Sequence, residues 1–393
     1  MVYKNKNNSI IDLGPKDGKV LSFGELLLRM CPDGDGEWLQ QNNLPFFVGG
    51  AEANVATALA LWGIPSAYLS VLPDNLMTRQ IADYLQQKKI DTSRIVWQGQ
   101  RMGLYFLPKG KDLKNAGVIY DRDHSAFSSL TTGTIDWDRV LDGVSWLHFS
   151  AISPALNARV AAVCEEALQA AAKKNITISV DLNYRAKLWQ YGATPLEVMP
   201  GLVKYCDVIM GNLWAAEKML GIPVDGTIHE GSTKEDYLQQ ALLTSEKTLE
   251  KFPRARIIAN TFRFDRVMDT TTEDKADSPG DKGPYRLGDT TRTHVASGIH
   301  YYTALFADKR LYASTEHFAD NIVDKVGSGD CYMAGLIYGL YKTLTLAETL
   351  EFATAAAFQK LFIASDATTS TIAEIEEYLK SAKAARKAHN EEH

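Results

Sequence analysis

The feature that most constrains the fold of this chain is a repeated alternation between short apolar runs and longer alanine-rich segments. The apolar runs have the length and composition of buried parallel strands, at 20–23, 146–150, 176–182, 208–210 and 256–262. Alanine-rich segments of helical character occupy 52–62, 158–174 and 345–362. Strands that alternate with helices pair in parallel through right-handed crossover connections. The sequence therefore predicts an α/β fold built on a doubly wound, mostly parallel sheet.

Two segments have strand-like character without intervening helices. They cover approximately residues 37–48 and 95–123, and both contain aromatic residues. Since neither continues the alternation, we predict that they form a small accessory β-sheet over one edge of the main sheet, where it would act as a lid.

The remaining boundaries follow from composition. The main domain is predicted to span residues 19–380, after an N-terminal extension at 1–18. The segment 269–293 is charged, rich in Gly, Pro and Thr and nearly free of large apolar residues, which favours a mobile loop. The mixed-charge end at 381–393 is typical of a helix terminus that frays.

Charge and composition disfavour several classes of protein. A net charge of −6 argues against nucleic acid as the main partner, because binding to a phosphate backbone requires a basic face. The N-terminus is polar, and no stretch approaches the roughly 18 apolar residues that a membrane helix needs. The four cysteines lie far apart, which is typical of reduced, buried thiols. We therefore expect a cytoplasmic enzyme that binds no membrane.

The most informative local pattern is the tetrapeptide Gly-Ser-Gly-Asp at 327–330, before an apolar helix predicted from about residue 331. Glycine permits positive φ angles and a close approach of a ligand to the backbone. Consecutive N–H groups of Gly327, Ser328 and Gly329 at a helix N-terminus form a site for phosphate oxygens. Asp330 would repel a phosphate, but it suits a base that takes a proton from a hydroxyl attacking phosphorus. The tetrapeptide alone is equally consistent with a loop in which Asp330 caps the helix.

The segment around this turn, DKVGSGDCYMAGLIYGL, resembles the second signature of the PfkB/ribokinase family of carbohydrate kinases, Asp-Thr-x-Gly-Ala-Gly-Asp followed by a helix. The resemblance covers roughly residues 19–380 and implies a ribokinase-like fold with a β-sheet lid. In this family the last Asp is the catalytic base and the Gly-x-Gly amides form the anion hole. These roles fall on Asp330 and on the three residues before it. Asp324 matches the first Asp of the motif, whereas Lys325 replaces the usual Thr.

A second pattern is the segment FFVGGAEANVATALALWG at 46–63. Gly49 and Gly50 permit a tight backbone approach, and Asn54 follows one helical turn after Gly50. A Gly-Gly pair is by itself also typical of a simple turn at a helix start. The segment resembles the first signature of the same family, in which the Gly-Gly pair and the Asn contact sugar hydroxyls. The resemblance therefore assigns Gly49, Gly50 and Asn54 to sugar binding.

A third pattern, VDLNYRAKLW, lies at the C-terminal end of a predicted strand, where open α/β sheets bind ligands. Asp181, Asn183 and Arg185 alternate, so their side chains should point the same way while the strand lasts. A guanidinium suits a carboxylate or a pair of hydroxyls, although a surface salt bridge would explain Arg185 equally. The pattern resembles 2-keto-3-deoxygluconate kinases and some fructokinases, which implies that Asn183 and Arg185 bind the sugar.

The segments at 102–107 and 118–130 separate these two kinds of kinase. MGLYFL and VIYDRDHSAFSSL resemble segments of ketodeoxygluconate kinases in which a Tyr and an Arg bind the acid sugar. These roles fall on Tyr105 and Arg122, although Tyr105 is also consistent with core or lid packing. Two guanidinium groups, those of Arg122 and Arg185, exceed what a neutral hexose requires and suit an anionic hexonate.

The nucleotide side is less distinctive. A predicted strand leads into a helix capped by Asn212, where related kinases have Asn-x-x-Glu and the Glu helps to organise Mg²⁺. This chain has Ala215 at that position, and Glu217 points elsewhere on the helix. The segment IIANTFR resembles an ATP-side strand of some ketodeoxygluconate kinases, which assigns Thr261 and Arg263 to the nucleotide with Asn212. Asn212 is equally consistent with a simple cap, and Arg263 with a solvated loop residue.

Together these patterns predict phosphoryl transfer from MgATP to a primary hydroxyl of a 2-keto-3-deoxy sugar acid, with 2-keto-3-deoxygluconate giving 2-keto-3-deoxy-6-phosphogluconate. The resemblance also implies a homodimer through the lid strands, and no residue is assigned to direct metal binding. One alternative is a fructokinase or another ketose kinase. Another is a non-catalytic sugar or nucleotide sensor, which Ala215 favours and Asp330 disfavours. A nicotinamide dehydrogenase is disfavoured because no Gly-x-Gly-x-x-Gly follows the first strand.

Overall fold

The protein is built around a ten-stranded central sheet. The computed structural model describes residues 9–14, 17–32, 43–108, 117–229, 231–267 and 296–391. Within these ranges the strands are β1 (Lys19–Phe23), β2 (Leu27–Met30), β3 (Phe46–Gly49), β4 (Ser66–Leu69), β5 (Val71–Leu72), β6 (Ile90–Asp91), β7 (Val96–Trp97), β8 (Gly103–Phe106), β9 (Ile119–Asp121), β10 (Val144–Ser150), β11 (Thr177–Asp181), β12 (Val208–Met210), β13 (Ile257–Val267), β14 (Ala296–Ala307), β15 (Arg310–Ala313) and β16 (His317–Ala319). The helices are α1 (Ala51–Leu61), α2 (Leu76–Gln87), α3 (Trp137–Val140), α4 (Ala158–Lys173), α5 (Pro195–Val203), α6 (Leu213–Leu220), α7 (Lys234–Lys251), α8 (Ser328–Tyr341), α9 (Leu346–Lys360) and α10 (Ile372–Glu391).

The strand order confirms the predicted doubly wound, mostly parallel sheet. The order is β15-β14-β13-β12-β11-β10-β1-β4-β6, with β16 paired to β14. In this order, each pair of adjacent strands between β13 and β6 is parallel. Strand β14 instead pairs antiparallel with β13, β15 and β16. The strand predicted at 256–262 extends to Val267 because β14 pairs with it along this length.

Helices cover both faces of the sheet and bury a separate apolar cluster on each. One cluster includes Val163 of α4 and Leu202 of α5, and the other includes Leu336 of α8 and Leu350 of α9. Burial of each large aliphatic side chain contributes roughly 1.5–3 kcal/mol, so the two clusters hold the helices firmly against the sheet.

Helices α8 and α9 pack closely because glycines of α8 face small residues of α9. A Cβ at Gly335 would lie 2.5 Å from Cα of Ala353, and one at Gly339 would lie 2.5 Å from Oγ1 of Thr349. Any larger residue at either glycine would push the helices apart. This packing fixes the N-terminus of α8, and with it the 327–330 turn, against the rest of the fold.

The predicted small sheet is present as a separate four-stranded sheet with the order β3-β2-β8-β9. Strands β8 and β9 fall within the segments predicted for it, and β3 does so except for its last residue, Gly49, whereas the central strand β2 lies outside both segments. The pair Val96–Trp97, inside the second segment, instead joins β5 in a two-stranded sheet. Residues 37–42 and 109–116 of the two segments lie outside the described residues. The lid role stays a prediction.

The remaining compositional predictions are tested in part. The segment 269–293 lies outside the described residues, as do residues 1–8 of the predicted extension. Helix α10 continues to Glu391, so most of the segment 381–393 is helical, and fraying of its end stays a prediction. Within the ranges given above, no helix combines the length and the apolar composition that a membrane span requires. All four cysteines are buried and free of disulfides, as predicted.

Candidate active site

A cavity of about 610 Å³ lies at the C-terminal edge of the central strands, where open α/β sheets place their ligands. Its walls come from the ends of β11, β12 and β13, from the N-termini of α1 and α8, and from the small sheet. All but one of the residues assigned to a site from the sequence line this cavity. They are Gly50, Asn54, Tyr105, Arg122, Asn183, Arg185, Asn212, Thr261, Arg263, Gly327, Ser328, Gly329 and Asp330.

The helix at the 327–330 turn begins earlier than the sequence predicts. Helix α8 starts at Ser328, so Asp330 lies within its first turn rather than before it. Gly327 is the N-cap with φ 78°, and a Cβ there would lie 1.8 Å from the backbone oxygen of Asp366. Gly329 does not use the positive φ that glycine permits, because this residue has helical backbone, and a Cβ on it would meet open space. Only Gly327 therefore requires glycine for its conformation.

The turn presents backbone donors to the cavity. The first N–H groups of a helix have no carbonyl partner within the helix, and the helix dipole places partial positive charge there. In α8 the first helical hydrogen bond runs from the Cys331 N–H to the Gly327 carbonyl, 2.8 Å long. The residues that carry the preceding amides line the cavity, and a helix N-terminus in this position is typical of sites that bind phosphate oxygens.

The carboxyl group of Asp330 is buried and held by the side chain of Asn54. The Asn54 Nδ2 atom donates to Asp330 Oδ2 over 2.7 Å. Burial raises the pKa of Asp330 to about 6, while the Asn54 hydrogen bond and the charge of Arg185 lower it. The sequence assigned Asn54 to the sugar, and no local pattern indicated this contact, because the two residues lie far apart in the chain.

The sugar end of the cavity contains an ion pair that the sequence patterns missed. Arg122 Nε lies 2.5 Å from Glu25 Oε2, and Ser125 Oγ donates to Glu25 Oε1. Both members of the pair are buried. Both guanidinium groups that the sequence places near the pocket, those of Arg122 and Arg185, line the cavity, but Glu25 balances the charge of Arg122. A signal was present: Glu25 follows the first parallel strand, at the edge where such sheets bind ligands.

The two glycines of the first signature have different surroundings. Gly50 caps α1 with φ 127°, and a Cβ there would lie 2.5 Å from the carbonyl oxygen of Glu25. Gly49 is the residue outside the cavity wall: it ends β3, and a Cβ on it would lie 2.6 Å from Oδ2 of Asp366. Gly49 therefore provides room for a buried carboxylate, and its assignment to the sugar lacks support from this placement.

The residues after β11 reach the cavity without the predicted alternation. The strand ends at Asp181, and Asn183 has φ 27°, so the chain turns before Arg185. The turn is stabilised by Asp181 Oδ1, which accepts from the Asn183 N–H over 3.0 Å. Burial, and then the charge of Asp330, raise the pKa of Asp181 to about 7. The Arg185 NH1 group donates to the carbonyl of Tyr184 over 3.0 Å.

Tyr105 is packed in the protein interior and also lines the cavity, and its binding of the sugar stays a prediction. It is buried at the cavity wall, and its hydroxyl donates to Oδ2 of Asp366 over 2.5 Å. Asp366, which no sequence pattern indicated, thus fixes the orientation of the phenol ring.

The opposite end of the cavity is formed by α6 and β13. Asn212 caps α6, and its side chain accepts from the Ala215 N–H over 2.8 Å. Thr261 and Arg263 of β13 line the wall here, and so does Lys325 beside the turn. Glu217 instead accepts from the Val224 N–H over 3.5 Å, as expected for an acid that points elsewhere on the helix.

Within the described part of the chain, no group of three or more His, Cys, Asp or Glu side chains could hold a metal ion. Magnesium is commonly held by one or two carboxylates together with substrate phosphates and water. The carboxyl groups of Glu52 and Asp181 line the cavity, so the donor set fits an ion that arrives with a nucleotide.

A parallel sheet whose edge carries an anion-binding helix N-terminus and a buried carboxyl group of near-neutral pKa defines a phosphotransferase of the α/β class. The model of the pfkB family of carbohydrate kinases matches residues 17–250 and 293–371, so the chain belongs to this family. As a carbohydrate kinase, the protein binds a sugar and ATP and transfers a phosphoryl group between them.

Curated relatives act on several related sugar acids. A 2-dehydro-3-deoxygalactonokinase of Haloferax volcanii is 33% identical over 44% of this chain, and the match spans 54% of that relative. A 5-dehydro-2-deoxygluconokinase of Geobacillus thermodenitrificans is 26% identical over 88% of the chain and 87% of the relative. A 2-dehydro-3-deoxygluconokinase of Bacillus subtilis is 26% identical over 64% of the chain and 78% of the relative.

Solved structures share the complete fold. The crystal structure of a 2-dehydro-3-deoxygluconokinase of Thermotoga maritima superposes with a TM-score of 0.76 at 32% identity, covering 92% of this chain and 99% of that one. A fructokinase of Xylella fastidiosa with bound ATP superposes with a TM-score of 0.68 at 17% identity, covering 93% and 99%. At this identity, the likeness to the fructokinase shows a shared fold alone.

Proposed function

We propose that the protein phosphorylates a 2-keto-3-deoxy sugar acid at its primary hydroxyl, with 2-keto-3-deoxygluconate as substrate and 2-keto-3-deoxy-6-phosphogluconate as product. The observation that carries the phosphoryl-transfer part is the buried Asp330, held by Asn54 in the first turn of α8. The names of the curated relatives support a substrate that has both a keto group and a carboxylate.

The reaction follows from the position of the base. Asp330 accepts the proton of the sugar hydroxyl while the hydroxyl oxygen attacks the terminal phosphorus of ATP. The bond between that phosphorus and the bridging oxygen breaks, and ADP leaves. The amides of Gly327, Ser328 and Gly329 donate to the oxygens of the transferring phosphoryl group, where negative charge must be stabilised. Lys325 and Arg263 add positive charge at the same wall. Magnesium, when bound with ATP, neutralises charge on the terminal phosphates.

Arg185 is the residue to which we assign the substrate carboxylate. It lines the cavity and donates to the neutral carbonyl of Tyr184, whereas Arg122 already pairs with Glu25. A guanidinium can bind a carboxylate through two parallel hydrogen bonds. Asn183 and Gly50 lie at the same wall and suit hydroxyl or keto oxygens.

A coupled ADP-release assay tests this function. MgATP is offered with 2-keto-3-deoxygluconate, 2-keto-3-deoxygalactonate, 5-dehydro-2-deoxygluconate, fructose and ribose. We expect the highest kcat/KM with a 2-keto-3-deoxy acid. Arg185→Met should raise KM for the acid at least tenfold, since charged hydrogen bonds contribute about 1.5–3 kcal/mol. Preference for a neutral ketose, unaffected by Arg185→Met, would contradict the assignment.

A ketose kinase remains the second candidate, because Glu25 balances the charge of Arg122, one of the two guanidinium groups on which the sugar-acid prediction rests. The sensor hypothesis is tested with Asp330→Asn. As a general base contributes about 10²–10⁴-fold, this change should abolish most turnover and leave sugar affinity measured by calorimetry nearly unchanged. Turnover equal to that of the unmodified protein would contradict the role of Asp330. Cytoplasmic location stays a prediction.

The homodimer also belongs to this proposal. Phe46 on β3 and Ile119 on β9 are about half exposed, at 52% and 54%, and among the residues that the structure describes both lie on edge strands of the small sheet. Exposed apolar side chains beside unpaired strand edges favour pairing with a second copy. Light scattering after size-exclusion chromatography should give the mass of two chains, and Phe46→Lys with Ile119→Lys should give the mass of one.

A further inference from the structure

Behind the 327–330 turn lies a cluster of buried charges. Arg29 NH1 lies 2.7 Å from Asp324 Oδ2 and 3.0 Å from Asp366 Oδ1, and all three side chains are fully buried. Lys360, the last residue of α9, is also fully buried, and its Nζ donates to the carbonyl of Ile363 over 3.1 Å. Its ammonium group interacts electrostatically with both carboxylates. The cluster therefore brings two basic and two acidic side chains together in the protein interior, where burial lowers the pKa of Lys360 and raises that of Asp366.

The cluster contacts the turn directly. The Asp324 N–H donates to the carbonyl of Leu361, 3.0 Å away, so the chain entering the turn is bonded to the end of α9. A Cβ at Gly327 would meet the backbone oxygen of Asp366 at 1.8 Å and Cε of Lys360 at 3.3 Å. Displacement of Lys360 or Asp366 would consequently displace the amides that face the cavity.

The cluster also joins the small sheet to the turn. Arg29 belongs to β2, and its Nε donates to the carbonyl of Leu107 over 3.2 Å. Tyr105 of β8 donates its hydroxyl to the same Asp366. The small sheet and the anion-binding turn are thus both held by Asp366.

Arg29 alone does not balance two buried carboxylates, and a buried charge without a counter-charge is strongly unfavourable. We propose that Lys360 is a positioning residue for phosphoryl transfer: its ammonium group supplies the second positive charge of this cluster and thereby fixes Asp324, Asp366 and the anion-binding turn. The inference rests on the kinase activity of the family and does not depend on which sugar is phosphorylated.

The first test is Lys360→Met, which retains most of the length of the side chain and removes its charge. The matched control is Lys204→Met, where the lysine lies at the surface after α5. We expect Lys360→Met to lower kcat at least tenfold and to change KM for the sugar less than threefold. Lys204→Met should change neither. A kcat of Lys360→Met within twofold of the unmodified protein would overturn the proposal.

The pH profile separates positioning from a purely structural role. Asp181, Arg185, Asp366 and Lys360 all act on the charge of Asp330, and Lys360 lowers its pKa. Loss of the ammonium should therefore move the acid limb of kcat/KM to higher pH. An unshifted limb would overturn the connection between the cluster and the base.

A second variant distinguishes an effect of the lost charge from a failure of Lys360→Met to fold. The double variant Asp324→Asn, Lys360→Met removes one charge of each sign, so it should fold and recover kcat at least fivefold over Lys360→Met alone. No recovery in a folded double variant would overturn the charge-balance argument. Affinity for a non-hydrolysable ATP analogue, measured by calorimetry, should follow the order of kcat: it should be lowest for Lys360→Met and higher for the double variant. Because this readout needs no sugar, it tests Lys360 even if none of the proposed substrates is phosphorylated.

Discussion

The carboxyl group of Asp330 lies among groups that act on it in opposite directions. Burial raises its pKa to about 6, whereas the amide of Asn54 and the charge of Arg185 favour the ionised form. A base of this strength is ionised near neutral pH and still retains the proton that it takes from a hydroxyl. Asn54 therefore acts on the base itself in this structure, whatever it contributes to the sugar.

Asn54→Ala tests this effect through the pH dependence of kcat/KM. The base must be deprotonated, so kcat/KM should fall below a pH of about 6 in the unmodified protein. Removing a hydrogen bond to the ionised form raises the pKa of Asp330, and the acid limb should move up by about one pH unit, since such bonds contribute about 1.5–3 kcal/mol. Thr57→Ala, one turn further along α1, should leave the limb in place. A limb that stays near pH 6 in Asn54→Ala would contradict the effect.

At the scale of the elements, the sequence predicts best what depends on local pattern. The central strands are found where apolar runs lie, because strands buried on both faces must be continuously apolar. The start of α8 was misplaced because its N-cap is Gly327, which offers no capping side chain to recognise. The contacts of Asn54 with Asp330, of Arg122 with Glu25 and of Tyr105 with a carboxylate join distant segments. Motifs found most of the residues of the cavity, but pairings of this kind have no local signal.

The 327–330 turn provides a matched pair of glycine substitutions. In Gly327→Ala, the left-handed backbone and the contact with Asp366 should together destabilise the protein by more than about 2 kcal/mol. In Gly329→Ala, the helical backbone and the open space around Cβ should instead stabilise it by about 0.5–1 kcal/mol. The new methyl group should nevertheless raise KM for ATP, because it enters the space beside the anion-binding amides. Urea unfolding and the ADP-release assay measure the two effects. Equal stability of the two variants would contradict this account of Gly327.

At the scale of the whole molecule, several carboxyl groups line the same cavity, and burial in the folded protein disfavours their ionised form. Burial raises the pKa of Glu52 to about 7, of Asp181 to about 7 and of Asp330 to about 6, and all three line the same cavity. Each carboxyl group is therefore more easily ionised in the unfolded chain than in the folded protein. Stability from these groups is complete below their ordinary pKa values of 3.8 to 4.5 and is lost progressively as the pH rises from there through 6 to 7. The site that performs the chemistry thus weakens the fold at the pH where the base is active.

Asp181→Asn should restore part of the folding stability that is lost as the pH rises. The Asn oxygen can still accept from the Asn183 N–H, so the turn after β11 is retained. At pH 8 the variant without bound ligand should be more stable than the unmodified protein by on the order of 2–4 kcal/mol, because one pKa unit corresponds to about 1.4 kcal/mol. At pH 5 the gain should be less than half of that at pH 8, because Asp181 ionises in the unfolded chain near its ordinary pKa of 3.8 and the gain grows with pH until about 7. Thermal unfolding at both pH values measures the difference.

The control is Asp138→Asn. The carboxylate of Asp138 pairs with Lys174 at the surface, so this variant should show little change in stability at either pH. An equal effect of Asp181→Asn at pH 5 and pH 8 would show that it acts through packing and not through ionisation.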